Sequence, residues 1–392
     1  MRHWRKFPGF AAEADFRAFR AWRGESPRIA LRNYPTHPMW GSYQSHPPLR
    51  YAPSPVAELD HWVEVVPEVV GPRGRLSSRR RFARRAMRPH ILDVEHWSLL
   101  TPVNHGDWRG KDWRDVFFEW ERVLAHLPHA DERVRTDACK AVIMVSRGAV
   151  EQARQFLSPE TWPKLEYVFP AWPAPRTANG SEREAFTLLT IGNRLSDEGA
   201  PEVLRAFEVL RARHGSGVRM ILVSCGVPAG YRLPDGVELV DTPRMGPELK
   251  ARVYHSADVL VMPSYWDSVT CNVEACAFGV PTITTRLHHG EDFVLDGVSG
   301  YLIDPPINAY SVAYGTRWKH HADFIAEMEG MRERGKFDVI VQDLVDRLET
   351  MLSGEVNVEA MRAAARRLHA ERFSPEVRND KLRAIYARAL AA

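Results

Sequence analysis

Six residues separate Asp267 from Glu274 in the segment Pro263-Ser264-Tyr265-Trp266-Asp267-Ser268-Val269-Thr270-Cys271-Asn272-Val273-Glu274. The segment leaves an apolar run, carries one acid, crosses a loop of small residues and enters a helix predicted over 272–278, which puts Glu274 in its first turn. A helix N-terminus presents unpaired N–H groups and the positive end of a dipole, a setting that favours a diphosphate. A carboxylate on that turn can accept from both hydroxyls of a ribose, and the acid before the loop can reach the hydroxyls of a sugar beyond the phosphates. Glu274 could instead merely favour the helix start, but that leaves Asp267, the strand end and the small-residue loop as coincidences. No Asp-x-Asp motif or acidic cluster appears where a diphosphate could share a cation, so neither metal nor cofactor is expected.

The elements that must position these residues alternate. Phe186–Ile191, Val218–Val223, Val237–Val240, Val259–Met262, Pro281–Thr284 and Gly300–Ile303 read as buried strands, and 200–213, 246–256 and 272–278 as helices. Repeated βα units imply a doubly wound parallel sheet, whose ligands lie at the carboxyl ends of the strands. The loops at 192–199, 225–230, 241–246, 263–271 and 285–292 should therefore face one crevice. The first half is less regular. Strands are expected at 28–32, 141–146 and 165–169, a strand passing into a loop over 90–97 and a helix at 151–157, with a Pro-, His- and aromatic-rich loop from Asn33 to Tyr51 that suits either polar ligand contact or a rigid surface. Pro170-Ala171-Trp172-Pro173-Ala174-Pro175 and the polar residues after it read as an interdomain linker.

A chain of 392 residues exceeds what one core usually supports, so two domains are expected. A formal charge of +3 gives no overall field for nucleic acid, and four cysteines without metal spacing read as buried thiols of a reducing cytoplasm. The N-terminus lacks the apolar run of a signal peptide, and no stretch reaches the roughly 20 apolar residues that span a bilayer.

The run from Ile191 to Pro305 resembles the donor domain of glycosyltransferase family 4, a group of retaining enzymes of the GT-B fold. The resemblance rests on Pro263-Ser264, Asp267, Glu274-Ala275-Cys276-Ala277-Phe278-Gly279-Val280-Pro281, Asp296-Gly297-Val298-Ser299-Gly300-Tyr301-Leu302-Ile303 and Tyr254-His255-Ser256-Ala257-Asp258-Val259, in that family's order along the chain. It implies two Rossmann-like domains facing a central cleft. Residues 1–176 would form the acceptor side, 177–373 the nucleotide-sugar domain, and a C-terminal helix over 374–392 would cross back to the first domain. It implies Glu274 at the ribose, Asp267 at the donor sugar, and backbone groups of Ser268, Val269, Thr270 and Cys271 at the sugar and distal phosphate. Ile191-Gly192-Asn193-Arg194-Leu195 resembles the family's Gly-Arg-Leu loop and would place Gly192, Asn193 and Arg194 at the diphosphate, where a guanidinium stabilises leaving-group charge. Arg244 and Met245 occupy the position that meets the base. In the first half, Asp93-Val94-Glu95-His96-Trp97 resembles the segment that carries a histidine near the reacting sugar, which makes His96 the candidate there, with His105 second and a structural histidine the alternative for either, and Gly41 near the expected glycine loop.

The chain departs from the family in three places. The first acid is Asp and the gap is one residue short. Asp197-Glu198-Gly199 stands where a phosphate lysine is usual, and His288-His289 replaces a glycine pair; His288 reads first as a solvated loop histidine and second as a partial substitute for the lysine. The implied activity is retaining, metal-independent transfer of a hexose-type sugar from a UDP- or GDP-sugar to a glycan, lipid-linked or small-molecule hydroxyl, in the cytoplasm. A catalytically degenerate binding protein and a sugar-nucleotide epimerase of the same fold are the alternatives. Eight arginines without an acid between Gly71 and Arg88 read first as a solvated helix, second as a contact with anionic membrane at the inner surface, and third as a nucleic-acid site. Residues 306–340 break the family pattern and have no assigned role.

Overall fold

The computed structural model describes residues 29–32, 58–63, 69–70, 89–94, 100, 103–104, 120–175, 184–242, 245–266, 269–287, 289–308 and 321–392. Two parallel sheets organise them. The first contains β1 (Ile29–Arg32), β2 (Leu59–Val63), β4 (His90–Val94), β6 (Cys139–Met144) and β7 (Leu165–Tyr167), side by side in that order; β3 (Val69–Val70) and β5 (Val103–Asn104) form a separate short pair. Helices α1 (Trp120–Ala125) and α2 (Leu127–Arg135) precede β6, and α3 (Arg147–Arg154) follows it. Ser146 caps α3 by accepting a hydrogen bond from the Ala149 N–H at 3.0 Å, which starts the helix earlier than the predicted 151–157.

The second sheet runs β10-β9-β8-β11-β12-β13, all parallel. Its strands are β8 (Phe186–Ile191), β9 (Val218–Val223), β10 (Val237–Val240), β11 (Val259–Met262), β12 (Thr282–Thr285) and β13 (Gly300–Ile303). Chain order reverses between β8 and β11, the point in such a sheet where the loops part and leave a crevice. Its helices are α4 (Ala200–His214), α5 (Pro247–Ser256), α6 (Val269–Phe278), the short α7 (Gly290–Phe293), α8 (His321–Glu333), α9 (Asp338–Leu352) and α10 (Val358–Leu368). The strands are apolar on both sides because both faces are covered. Leu188, Met220, Leu222 and Val261 pack with α4, α8 and α9, while Leu189, Ile221, Leu260 and Met262 pack with α5 and α6.

A π-helical turn, His369–Phe373, leads to the last helix, α11 (Pro375–Ala391), which Ser374 caps from its side chain to the Val377 N–H at 3.3 Å. Leu382, Ile385, Tyr386 and Ala389 recur at helical spacing and are buried against Ile91, Ala141 and Ile143 of the first sheet. Burial of Leu382 and Ile385 contributes roughly 1.5–3 kcal/mol each. Buried polar contacts fix the same helix: Tyr386 Oη lies 2.7 Å from His61 Nδ1, whose Nε2 faces Asp93 at 3.3 Å.

The region 306–340 acquires a structural role. Arg332 of α8 donates from Nε and Nη2 to the buried Glu202 of α4, at 2.7 and 3.0 Å, and from Nη2 to the Ser196 carbonyl at 2.6 Å. The inserted helix therefore pins the loop that follows β8.

Candidate functional site

Both sheets turn their carboxyl ends toward each other. Beyond β6, Arg147 Nε and the Gly148 N–H donate to Asp292 of α7, which follows β12, at 2.5 and 3.2 Å. The hydrogen bond and charge of Asp292 hold Arg147 more firmly protonated than usual. Beyond β7, Trp172 lies under the Lys250 ammonium at 4.1 Å. The Trp172 N–H donates to the Phe373 carbonyl at 3.0 Å, and its own carbonyl meets His369 Nε2 at 2.7 Å. The cleft is thus closed on one side by contacts from both domains. Local sequence signals identified neither Asp292 nor Lys250; each acts through a partner on another element.

The loop after β8 is built around Arg194. Its guanidinium meets Asp197 through Nη1 at 2.9 Å and Glu198 through Nε and Nη2 at 3.3 and 3.1 Å, and its backbone N–H donates to Glu198 at 2.9 Å. The guanidinium also sits 5.6 Å from the centre of the Trp266 ring, on the loop after β11. Gly199 closes the turn at φ 77°, and a Cβ there would stand 2.5 Å from the Pro263 carbonyl oxygen, so only glycine lets the two loops approach. Asn193 accepts from the Cys225 N–H at 3.0 Å and ties in the loop after β9. Burial pushes the Glu198 carboxyl above its ordinary range, with Arg194 acting against it.

Glu274 does not occupy the first turn of its helix. The helix begins at Val269 rather than 272, which puts Glu274 in its second turn. Val269 and Thr270 are β-branched and Asn272 resembles a cap, a local pattern that favours a later start; Val269 and Val273, buried against Phe293 and Phe373, supply the packing that overrides it. The first turn then comprises Val269, Thr270, Cys271 and Asn272. Glu274 itself is 2% exposed. Lys250 Nζ donates to its Oε1 at 2.5 Å and Tyr254 Oη to its Oε2 at 3.0 Å. Burial raises the Glu274 carboxyl above its usual range while Lys250 and Tyr254 oppose that rise; the Tyr254 phenol is pushed well above its usual value, first by burial and then by the Glu274 charge.

Gly192, Asn193 and Arg194 follow β8, and Val269, Thr270, Cys271 and the buried Glu274 follow β11, the two neighbouring strands between which chain order reverses. Met245 lies half-buried at the foot of α5, against the cluster that includes Val253 and Tyr254. Asp267, Ser268, Arg244, His288, His96, His105 and Gly41 lie outside the described residues, as does the Arg73–Arg88 run. Among the described residues no group of three or more His, Cys, Asp or Glu is placed to hold a metal, and no helix is long and apolar enough to cross a membrane.

Residues 185–316 match the family model of glycosyl transferases group 1. The lipopolysaccharide 1,2-N-acetylglucosaminetransferase of Salmonella typhimurium is 27% identical over 146 residues, 33% of this chain and 38% of that protein. The D-inositol 3-phosphate glycosyltransferase of Mycobacterium marinum is 34% identical over 142 residues, 33% of this chain and 29% of that protein. The matched region thus spans about a third of these curated relatives' length. Among solved structures, sucrose-phosphate synthase from Thermosynechococcus elongatus superposes with a TM-score of 0.56 at 14% identity, over 86% of this chain and 74% of that one. The pneumococcal O-GlcNAc transferase GtfA, solved with UDP and GlcNAc, gives 0.52 at 16% identity, over 84% and 56%. These likenesses are of fold: the two sheets adopt the GT-B arrangement of paired Rossmann-like domains.

Proposed function

We propose that the chain is a glycosyltransferase that moves a hexose-type sugar, with retention, from a UDP- or GDP-sugar to an acceptor hydroxyl. The observation that carries this reading is the switch point, where the Arg194 loop and the first turn of α6 converge inside the region that matches group 1 glycosyl transferases. In this reading the N–H groups of Val269, Thr270 and Cys271, with Ser268, receive the distal phosphate and sugar, and Arg194 stabilises charge on the departing diphosphate. Glu274 accepts from the ribose. Its oxygens already take Lys250 and Tyr254, but each carboxylate oxygen accepts more than one hydrogen bond, and the ammonium favours the ionised form the ribose needs. Asp267 holds the donor sugar and Arg244 and Met245 the base, with Gly192, Asn193 and His288 completing the donor side.

His96 faces the reacting sugar from the first domain, with His105 and Gly41 on the acceptor side. The chemistry asks for no covalent nucleophile and no resident metal. Matched relatives named for lipopolysaccharide and for D-inositol 3-phosphate suggest a hydroxyl-bearing acceptor, either lipid-linked or small. The Arg73–Arg88 run would bring the enzyme to an anionic membrane if the acceptor is lipid-linked.

A second reading, nucleotide-sugar binding without turnover, is favoured by one observation: Arg194 and Glu274 both already have internal partners of opposite charge. A thermal-shift series with UDP, GDP, ADP and their common sugars on wild type and Glu274→Ala tests the donor site. A ligand that binds only the folded chain stabilises it by about 2.7 kcal/mol at a hundred times its Kd. Stabilisation by one nucleotide, lost in the variant, is the expected result; no shift with any of them would remove both readings.

A further inference from the structure

Glu198 stands at the centre of the donor loop and faces inward. Its carboxylate accepts from the Arg194 backbone N–H, Nε and Nη2, at 2.9, 3.3 and 3.1 Å. These are the donors that a phosphate oxygen approaching the loop would use. A Cβ on Gly192 would stand 2.3 Å from Glu198 Oε2, so the carboxylate lies against the bare glycine face at the head of the loop. The charge of Glu198 also reaches the Cys271 thiol, in the first turn of α6. The carboxylate thus lies between the two elements that form the donor site.

We propose that the Glu198 carboxylate is an internal occupant of the donor-site anion position, which a nucleoside diphosphate must displace in order to bind. The inference rests on the donor site proposed above. Charges around the position support it. Within the loop, Arg194 faces both Asp197 and Glu198; from α6 and α5 come Glu274 and Lys250, themselves paired; and Arg332 of α8 pins Ser196 behind the loop. One guanidinium between two carboxylates leaves no positive charge in the loop for an entering diphosphate.

The backbone need not move for displacement to occur. Ser196 is held by Arg332, and Gly199 is packed on Pro263, so rotation of the Glu198 side chain alone opens the site. Protonated Glu198 loses its hold on Arg194, and because burial already favours the neutral acid, the penalty that Glu198 places on nucleotide binding should shrink as pH falls.

Titration calorimetry with UDP, GDP and ADP on wild type, Glu198→Gln and Arg194→Ala tests the proposal. The nucleotide that binds wild type should bind Glu198→Gln about tenfold tighter or more, since a negative charge is removed a few ångströms from the phosphates. The gain should be largest at pH 8 and shrink toward pH 5.5 as Glu198 of the wild type takes up a proton; protonation of the nucleotide acts equally on both proteins and cancels in the ratio. Glu198→Ala should also bind more tightly, and serves if the Gln variant does not fold. Equal or weaker binding by both Glu198 variants, with binding lost in Arg194→Ala, would overturn the proposal and leave the donor site standing. Absence of binding by every protein to every nucleotide would overturn both.

Discussion

Replacing Lys250 by Met would leave the Glu274 carboxylate buried beside Tyr254 without its ammonium. Both groups of the pair are largely out of water, Lys250 at 9% and Glu274 at 2% exposure, and they meet at 2.5 Å. Breaking one partner out of such a pair costs about 3 kcal/mol, because the remaining charge stays desolvated. For a domain of this size that lowers the melting temperature by roughly 6–12 °C. The cost should depend on pH, with a definite sign. Burial holds the Glu274 carboxyl above its ordinary range, and loss of Lys250 removes the strongest influence acting the other way. A carboxyl whose folded pKa is raised binds an extra proton in the folded state. Its penalty is absent below the unfolded pKa and grows as pH rises through the folded one. The deficit of Lys250→Met should therefore be full near pH 8 and shrink toward pH 5. Differential scanning calorimetry across that range, with Glu274→Gln added in a double variant, completes the cycle. The double variant should recover most of the loss, since a buried ion pair can be replaced by neutral groups at little cost. A single variant that melts with wild type, or a deficit that grows on acidification, would refute the reasoning.

Arg332→Ala should leave the buried Glu202 without its guanidinium, with only the Tyr265 hydroxyl donating to it, and release α8 from Ser196, at a cost of about 3 kcal/mol in chemical denaturation, with Arg332→Lys intermediate; wild-type stability would show that the inserted helix is not a clamp. Thiol labelling at pH 8 should modify exposed Cys225 quickly, half-buried Cys271 slowly, and buried Cys139 and Cys276 only after unfolding. Burial pushes Cys139 up to about 11 and Cys276 up to about 12, and raises Cys271 as well. A second fast thiol in the native protein would contradict that burial.

The second sheet was legible in the sequence because its strands are short, continuous apolar runs between helices with one polar face. Phe186–Ile191, Val218–Val223 and Val237–Val240 were located to the residue. β2 was missed because Leu59-Asp60-His61-Trp62-Val63 reads as polar, although Asp60 and His61 are buried in the sheet. The start of α6 was placed late for a related reason, local propensity losing to packing. The Arg194 loop and Glu274 could be located by their position after a strand and within a helix. Their partners could not: Lys250 is 24 positions from Glu274, Arg332 is 130 from Glu202, and Arg147 is 145 from Asp292. No spacing along one helix or strand encodes such pairs; only the packing of the folded chain brings them together.

Release of nucleoside diphosphate from a nucleotide-sugar, followed for UDP-, GDP- and ADP-hexoses with wild type and Arg194→Ala, tests the central claim most directly. Turnover of one donor by wild type, slowed about 10²–10³-fold in the variant by loss of charge stabilisation at the leaving group, is the predicted result. Binding of a nucleotide without release of diphosphate from any donor, in the presence of a broad panel of sugar and inositol acceptors, would contradict it and make the protein a sensor or scaffold rather than a transferase.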